Sequence, residues 1–436
     1  MSHRGALSLR HDDDGRWTAS FGAIFVLSIV AGLHLLIGHS FNISLRMVPG
    51  AGLSMDLAYE AISEGSLTRR IGIVALGAIG FFLLYRSRNR FVRLTPVAGT
   101  AAALFVLWAS LSLAWAVEPP LVARRLVSFW LLLLASVGVF RWAPPRSIPW
   151  FLGLSSFLYV MIGVGTELAL GTFQPLGSDY RFSGTLHPNA QGINCALLVL
   201  SATWIGTEGG RRNRAVGFAI GAVGLLFLLL TRSRTSFAAT MGSVLVLLVL
   251  KLHPRRRWIA VVAAVNLGIL LIMLYVNGLL DVPLELLMLG RGDEDVGSLN
   301  SRLPLWQVLA PYIAERPVTG FGFSGFMNIQ HAREIALIFE FGIAGSHSVY
   351  LETILGVGAV GLILFVLSMV AAFMRGVLSS SRVHGGDEYS LFAAVVAFEL
   401  LSGVLESSLV FPAWRFPSLL VLTALCLTEP RYRERR

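Results

Sequence analysis

The chain has 436 residues, of which 55% are hydrophobic and only 14% charged, with a formal net charge of +10 and a mean hydropathy of +0.71. A soluble chain of this length needs far more polar surface to cover its cores, so the composition excludes a soluble fold. Nor does the charge point to nucleic acid: the 35 basic residues, all arginine except Lys251, fall in short clusters between apolar runs and not on one domain.

A span needs roughly 20 mostly apolar residues to cross about 30 Å of hydrocarbon. The first apolar run is 21–38, and no A-x-A-type cleavage site follows it, so an uncleaved first helix is expected. Further spans are predicted at 71–85, 96–114, 122–140, 148–168, 190–206, 215–230, 236–251, 258–277, 347–374, 389–405 and 413–428. The pair flanking Thr231–Thr235 also reads as one long broken helix. The expected fold class is therefore an all-α polytopic membrane protein of about twelve transmembrane helices.

Basic residues orient it. The even-numbered gaps carry Arg86, Arg88, Arg90 and Arg93; Arg141 and Arg146; Arg211, Arg212 and Arg214; Lys251 and Arg255 to Arg257; Arg375 and Arg382. With both tails, 22 basic residues fall on that side and 13 on the other, which places both termini in the cytoplasm. The expected organisation is a cytoplasmic tail (1–20), transmembrane helices 1–9 (21–277), a large periplasmic loop (278–346), helices 10–12 (347–428) and a basic cytoplasmic tail (429–436). Within the loop, apolar residues at helical spacing from Pro304 to Glu315 predict a helix on the membrane surface or over a cavity. Cys195 and Cys426 lie in apolar runs and are expected to pack as small hydrophobes.

Topology does not explain arginines on the outward side. Arg181 precedes a span in Arg181-Phe-Ser-Gly184-Thr-Leu-His187-Pro188-Asn189, Arg232 and Arg234 share the short polar break Leu230–Ser236, and Arg302 lies in Asn300-Ser301-Arg302. An arginine near membrane depth costs roughly 2.5–3.5 kcal/mol on insertion scales. Snorkelling to lipid phosphates, or pairing with Glu167 or Glu406, would compensate, and so would an anionic ligand. His347 stands where the long loop re-enters the membrane. A helix N-terminus disfavours imidazolium, so His347 is expected to stay neutral near pH 7 and free to accept a proton, unless it is structural. No histidine pair has metal-ligand spacing, and neither a P-loop, a G-x-S-x-G elbow nor an H-E-x-x-H motif occurs.

Five motifs in order, R-x-x-G-x-x-H-P-N (Arg181–Asn189), L-T-x-S-R (Leu230–Arg234), S-R-x-x-x-W (Ser301–Trp306), P-x-x-G-x-G-x-x-x-F (Pro317–Phe326) and H-[NS]-x-x-L (His347–Leu351), resemble the O-antigen ligase and polysaccharide polymerase superfamily. Order and rough spacing agree across about 95–365; ligases usually place Asn where this chain has Ser348. The resemblance implies a GT-C-like, metal-independent, inverting glycosyltransferase of the inner membrane with no cofactor. Its partners would be membrane lipid, an undecaprenyl-diphosphate-linked oligosaccharide donor, a glycan acceptor, and a flippase and chain-length regulator. Arg234 and Arg302 match the family's diphosphate-binding arginines and His347 its proposed base, with Arg181 and Arg232 as further donor contacts. One arginine–phosphate pair at about 4 Å is worth on the order of 4 kcal/mol at an effective dielectric near 20. The segment Trp108–Pro119 followed by Arg124 and Arg125 resembles exopolysaccharide polymerases, which must hold two lipid-linked glycans. Arg124 and Arg125 are thus candidate contacts for a second diphosphate, or ordinary interfacial anchors. The competing classes are a small-anion transporter using Glu167, Glu352, Glu399 and Glu406, and a structural scaffold.

Overall fold

The computed structural model describes residues 21–38, 67–177, 180–208, 210–253, 297–339, 345–380, 387–406 and 415–429, with positions 10–11, 17–18, 256–257, 259 and 431–432. The expected span 258–277 and most of the first third of the outward loop lie outside the described residues. The helices are α1 (Phe21–Gly38), α2 (Leu67–Arg86), α3 (Ala98–Leu111), α4 (Pro119–Trp142), α5 (Ile148–Ala169), α6 (Pro188–Thr207), α7 (Arg211–Leu230), α8 (Arg234–Lys251), α9 (Gly297–Glu315), α10 (Ile329–Phe339), α11 (Val349–Ser379), α12 (Glu388–Ser402) and α13 (Phe416–Cys426). Among the described residues eight segments are long and apolar enough to cross a membrane: α2, α3 with the 3-10 turn Ser112–Trp115, α4, α5 with its leading turn, α6, α7, α8 and α11. The remaining predicted spans among them coincide with α1, α12 and α13. The Thr231–Thr235 region is a true break between two helices, α7 and α8.

Helix packing follows small residues. Gly80 of α2 faces Ala135 and Gly138 of α4 so closely that an added Cβ would stand 2.4 Å from the Ala135 backbone. Gly217 of α7 meets Gly206 and Ala202 of α6 in the same way. Without a hydrophobic drive between helices in lipid, such close backbone approach is what brings them together. Phe81, Phe82, Leu107, Phe218 and Ile363 remain exposed as the lipid-facing surface. Helix α12 is nearly all buried, at the centre of the bundle against α6, α8, α11 and α13.

The bundle has two polar ends. At one, Arg146 pairs with Glu388 at 3.7 Å and Lys251 bridges Glu208 and Asp387. Arg90 donates to the Trp142 carbonyl at 2.7 Å, and Arg90–Phe91 pairs as a short antiparallel ribbon with Arg431–Tyr432. These are the residues whose charge predicts the inside. The other end carries the motif arginines and His347. There α11 breaks its helical geometry at Gly358, whose φ of +68° only glycine adopts easily. The loop from Pro317 docks on that break: Phe321 and Gly322 donate to the carbonyls of Leu355 and Gly356 at 2.8 Å each, and Ala359 donates to that of Pro317 at 2.8 Å. The predicted loop helix is present and starts earlier, at Gly297, with Leu305 and Leu309 packed on Phe321, Phe326, Met327, Ile335 and Leu355.

Candidate functional site

Each motif has a local physical role in the site. In Arg181–Asn189, Pro188 opens α6 and His187 caps it, its Nδ1 accepting the Asn189 N–H at 3.3 Å. Gly184, at φ +58°, sits against Gly163 where a Cβ would stand 2.5 Å from its Cα. The Glu167 carboxylate gathers the N–H groups of Ser183 (3.0 Å) and Gly184 (2.7 Å) and the Tyr180 hydroxyl (2.5 Å). So fixed, Arg181 donates to Asn189 Oδ1 at 3.0 Å and to the Thr231 carbonyl at 3.2 Å.

That second bond ties the loop to the α7–α8 break, where Phe182 also donates to the Leu230 carbonyl at 2.8 Å. The Thr231 hydroxyl holds the turn, donating to the Leu228 carbonyl at 2.7 Å and accepting the Ser233 N–H at 3.2 Å, and Arg232 takes φ +50° with a long contact, 3.4 Å, to the Gly177 carbonyl. Arg234 is the first residue of α8, and Gly192 of α6 packs against Ser233 and Ser236 beside it.

In α9, Arg302 and Trp306 stand one turn apart on one face, which accounts for the S-R-x-x-x-W spacing. Trp306 donates its indole N–H to the Ser346 carbonyl at 3.0 Å. Arg302 donates to Glu406 Oε1 at 3.1 Å. The same Glu406 oxygen accepts from Asn189 Nδ2 at 3.0 Å. One connected network thus runs Arg181–Asn189–Glu406–Arg302 and places Arg302 next to the loop of His347.

His347 has φ +56°; with Arg232 and Ser324 it is one of three non-glycine residues at positive φ among the described residues. Backbone strain of this kind costs roughly 1–3 kcal/mol and persists only where the surroundings over-determine it. Ser346 N–H donates to Glu352 Oε1 at 2.6 Å, Ser346 Oγ to the Ser348 carbonyl at 3.0 Å, and Val349 N–H to the Gly403 carbonyl at 2.8 Å. The His347 ring is exposed yet recessed among protein atoms. Incomplete solvation and then the Arg302 charge pull its pKa from 6.5 down to about 4. Both effects act in the direction of the expected neutrality.

Arg124 and Arg125 lie apart from this network, on α4. Arg125 donates to the Ser324 carbonyl and, at 3.4 Å, to that of Met327, so it anchors the loop docked on α11. Arg124 is within electrostatic reach of Arg70. The carboxylates expected of a transporter route are each engaged: Glu167 by the Arg181 loop, Glu352 by Ser346, Glu399 by Arg415 at 3.0 Å and Ser418 at 2.6 Å, and Glu406 as above. Sequence reasoning named Glu406 as an ion partner and as a possible transporter carboxylate, and missed that it joins two motifs. Its one signal was a carboxylate near the end of an apolar run.

The fold and this cluster define a polytopic helical membrane protein with an arginine-rich polar site around a strained histidine. Residues 217–366, which contain Arg232, Arg234, Arg302, Pro317–Phe326 and His347 but not Arg181 or Glu406, match the O-antigen ligase family. The chain is 25% identical over 350 residues to the exopolysaccharide production protein ExoQ of Rhizobium meliloti (strain 1021), covering 76% of this chain and 77% of that protein. Both matches support the likeness to the O-antigen ligase and polymerase superfamily.

Proposed function

We propose that the chain is an inner-membrane glycosyltransferase that polymerises undecaprenyl-diphosphate-linked repeat units of an exported polysaccharide on the periplasmic face. The observation that carries this reading is a strained His347 within electrostatic reach of Arg302, whose network joins it to Glu406, Asn189 and Arg181. An acceptor hydroxyl attacks the anomeric carbon of the donor with inversion, its proton passing to His347 as the new C–O bond forms. The old C–O bond to phosphate breaks, and the electron pair leaves with the polyprenyl diphosphate. Arg302 and Arg234 stabilise the charge that grows there, as arginines do in other phosphate chemistry. Arg181 and Arg232 support the donor from the neighbouring break, and Arg124 and Arg125 serve the second glycan. No metal or cofactor is assigned a role. The donor, the growing chain and membrane lipid are the partners, with a flippase and a chain-length regulator acting before and after. Twelve spans with a large periplasmic loop between the ninth and tenth complete the topology.

Likeness to an exopolysaccharide production protein favours polymerisation over transfer to lipid A core. The name of the matched family keeps ligation as the second reading. Engagement of Glu167, Glu352 and Glu399 by protein partners disfavours an anion transporter, whose route needs a series of exchangeable ionisable groups. The test is incubation of purified protein with a lipid-linked repeat unit, without nucleotide and with chelator. Ladders of lengthening lipid-linked chains are expected. Transfer only to added lipid A core would select the ligase, and no transfer with anion flux in vesicles would select the transporter.

A further inference from the structure

Two buried charges next to the site are not absorbed by this mechanism. Arg415, 4% exposed, gives Nη1 to Glu399 Oε1 at 3.0 Å, while its Nη2 has no hydrogen-bond partner among the described residues. A buried guanidinium nitrogen left unsatisfied is a costly feature that calls for a reason. The Arg415 charge also acts on Glu406, as does that of Arg302. Glu406 therefore lies under the influence of two cations and is hydrogen-bonded to one of them.

We propose that Glu406 is an exchangeable counter-ion, holding Arg302 before the donor binds and turning towards Arg415 when a polyprenyl diphosphate takes Arg302 over. The proposal rests on the glycosyltransferase reading and adds to it a positioning residue that the motifs and the matched segment do not include. In the free enzyme the Glu406 carboxylate occupies the place on Arg302 that a phosphate oxygen takes later. Its backbone is fixed meanwhile: the Glu406 carbonyl accepts from Val349 N–H at 3.2 Å, two residues beyond His347. Exchange then needs only a side-chain rotation, with Asn189 Nδ2 keeping the carboxylate hydrogen-bonded. The free Nη2 of Arg415 gains an acceptor, and no buried charge is stranded. Burial raises the Glu406 pKa against the opposing pull of Arg302 and Arg415, as expected of a carboxylate that depends on its cations. When the chemistry is over, the same carboxylate competes with the leaving diphosphate for Arg302 and speeds its release.

The experiment measures binding of farnesyl diphosphate to the full chain in nanodiscs, and turnover of a lipid-linked repeat unit, for wild type, Glu406→Gln and Glu406→Asp. Glutamine keeps an acceptor for Asn189 but removes the competing charge. Glu406→Gln should bind the diphosphate about tenfold tighter, while multiple turnover slows and the first turnover does not. Glu406→Asp, which reaches Arg302 less well, should shift binding in the same direction and less far; it decides the matter if the glutamine protein does not accumulate. Unchanged or weaker binding in the variants, beside a wild type that binds, overturns the proposal and leaves the glycosyltransferase reading standing. A wild type that does not bind the diphosphate overturns that reading and the proposal with it.

Discussion

Glu352, one turn inside α11, accepts the N–H of Ser346 at 2.6 Å and so reaches back to hold the loop that carries His347. The carboxylate is 3% exposed, and the left-handed His347 follows its hydrogen-bonded partner by one residue. Glu352→Ala leaves the Ser346 N–H buried without an acceptor, a loss of about 1–3 kcal/mol. Thermal unfolding of the purified variant should register it. Activity should fall more than the stability loss explains, because His347 is released from its strained conformation. Glu352→Gln, which keeps an acceptor, should lose less of both. Full activity in the alanine variant would show that His347 is positioned by other contacts.

The depressed His347 pKa sets a pH dependence. The ring ionises at about 4 in the fold against 6.5 ordinarily. Between those values the unfolded chain binds the proton and the folded chain does not. The contribution of His347 to stability is therefore fully present above about 6.5 and is lost as pH falls through about 4. If the neutral ring is the base, the acid limb of kcat/KM should also lie near 4 and not near 6.5. A profile of kcat/KM from pH 4 to 8 checks this, and an acid limb near 6.5 would mean that another group controls it.

Helices were legible because hydropathy is local: each apolar run between arginine clusters declares itself within roughly 20 residues. The outward arginines were legible as anomalies against the same background. What those arginines touch was not legible, since Arg302 and Glu406 are 104 residues apart and Asn189 and Glu406 are 217 apart. Hydropathy carries no term for such pairings. The break at Gly358 was equally hidden, because a glycine in an apolar helix gives no sign of φ +68° until the Pro317–Phe326 loop is seen to need its carbonyls. Arg125 was legible as an outward charge just ahead of a span, but its bonds to two carbonyls of a loop about 200 residues away were not.

Topology can be read with reporter fusions. Fusions after Arg214, Arg257 and Arg436 should report cytoplasm, and fusions at Ser178 and Gly297 periplasm. The charge clusters that predict this also meet at one end of the bundle, where Lys251 joins Glu208 and Asp387. A periplasmic C-terminus would sink the arrangement of twelve spans.

The arginines separate from mere positive charge by replacement with lysine. In the free enzyme Arg302 uses one guanidinium nitrogen on Glu406, and once that carboxylate is displaced its fork presents two parallel N–H groups to a phosphate. Lysine keeps the charge but not the fork. Loss of one charge-assisted hydrogen bond, about 1.5–3 kcal/mol, corresponds to roughly a tenfold to more than a hundredfold fall in rate. Arg302→Lys and Arg234→Lys should each lose that much while inserting at wild-type levels. Arg181→Lys should also lose stability, because one ammonium cannot replace a guanidinium spanning both Asn189 and the Thr231 carbonyl. Arg316→Lys serves as the control: its side chain lies against Phe321 and Glu315, away from the network, and its output should stay near wild type. Wild-type glycan output from both the Arg302 and Arg234 variants would remove bidentate phosphate recognition from the mechanism and leave charge alone to explain the site.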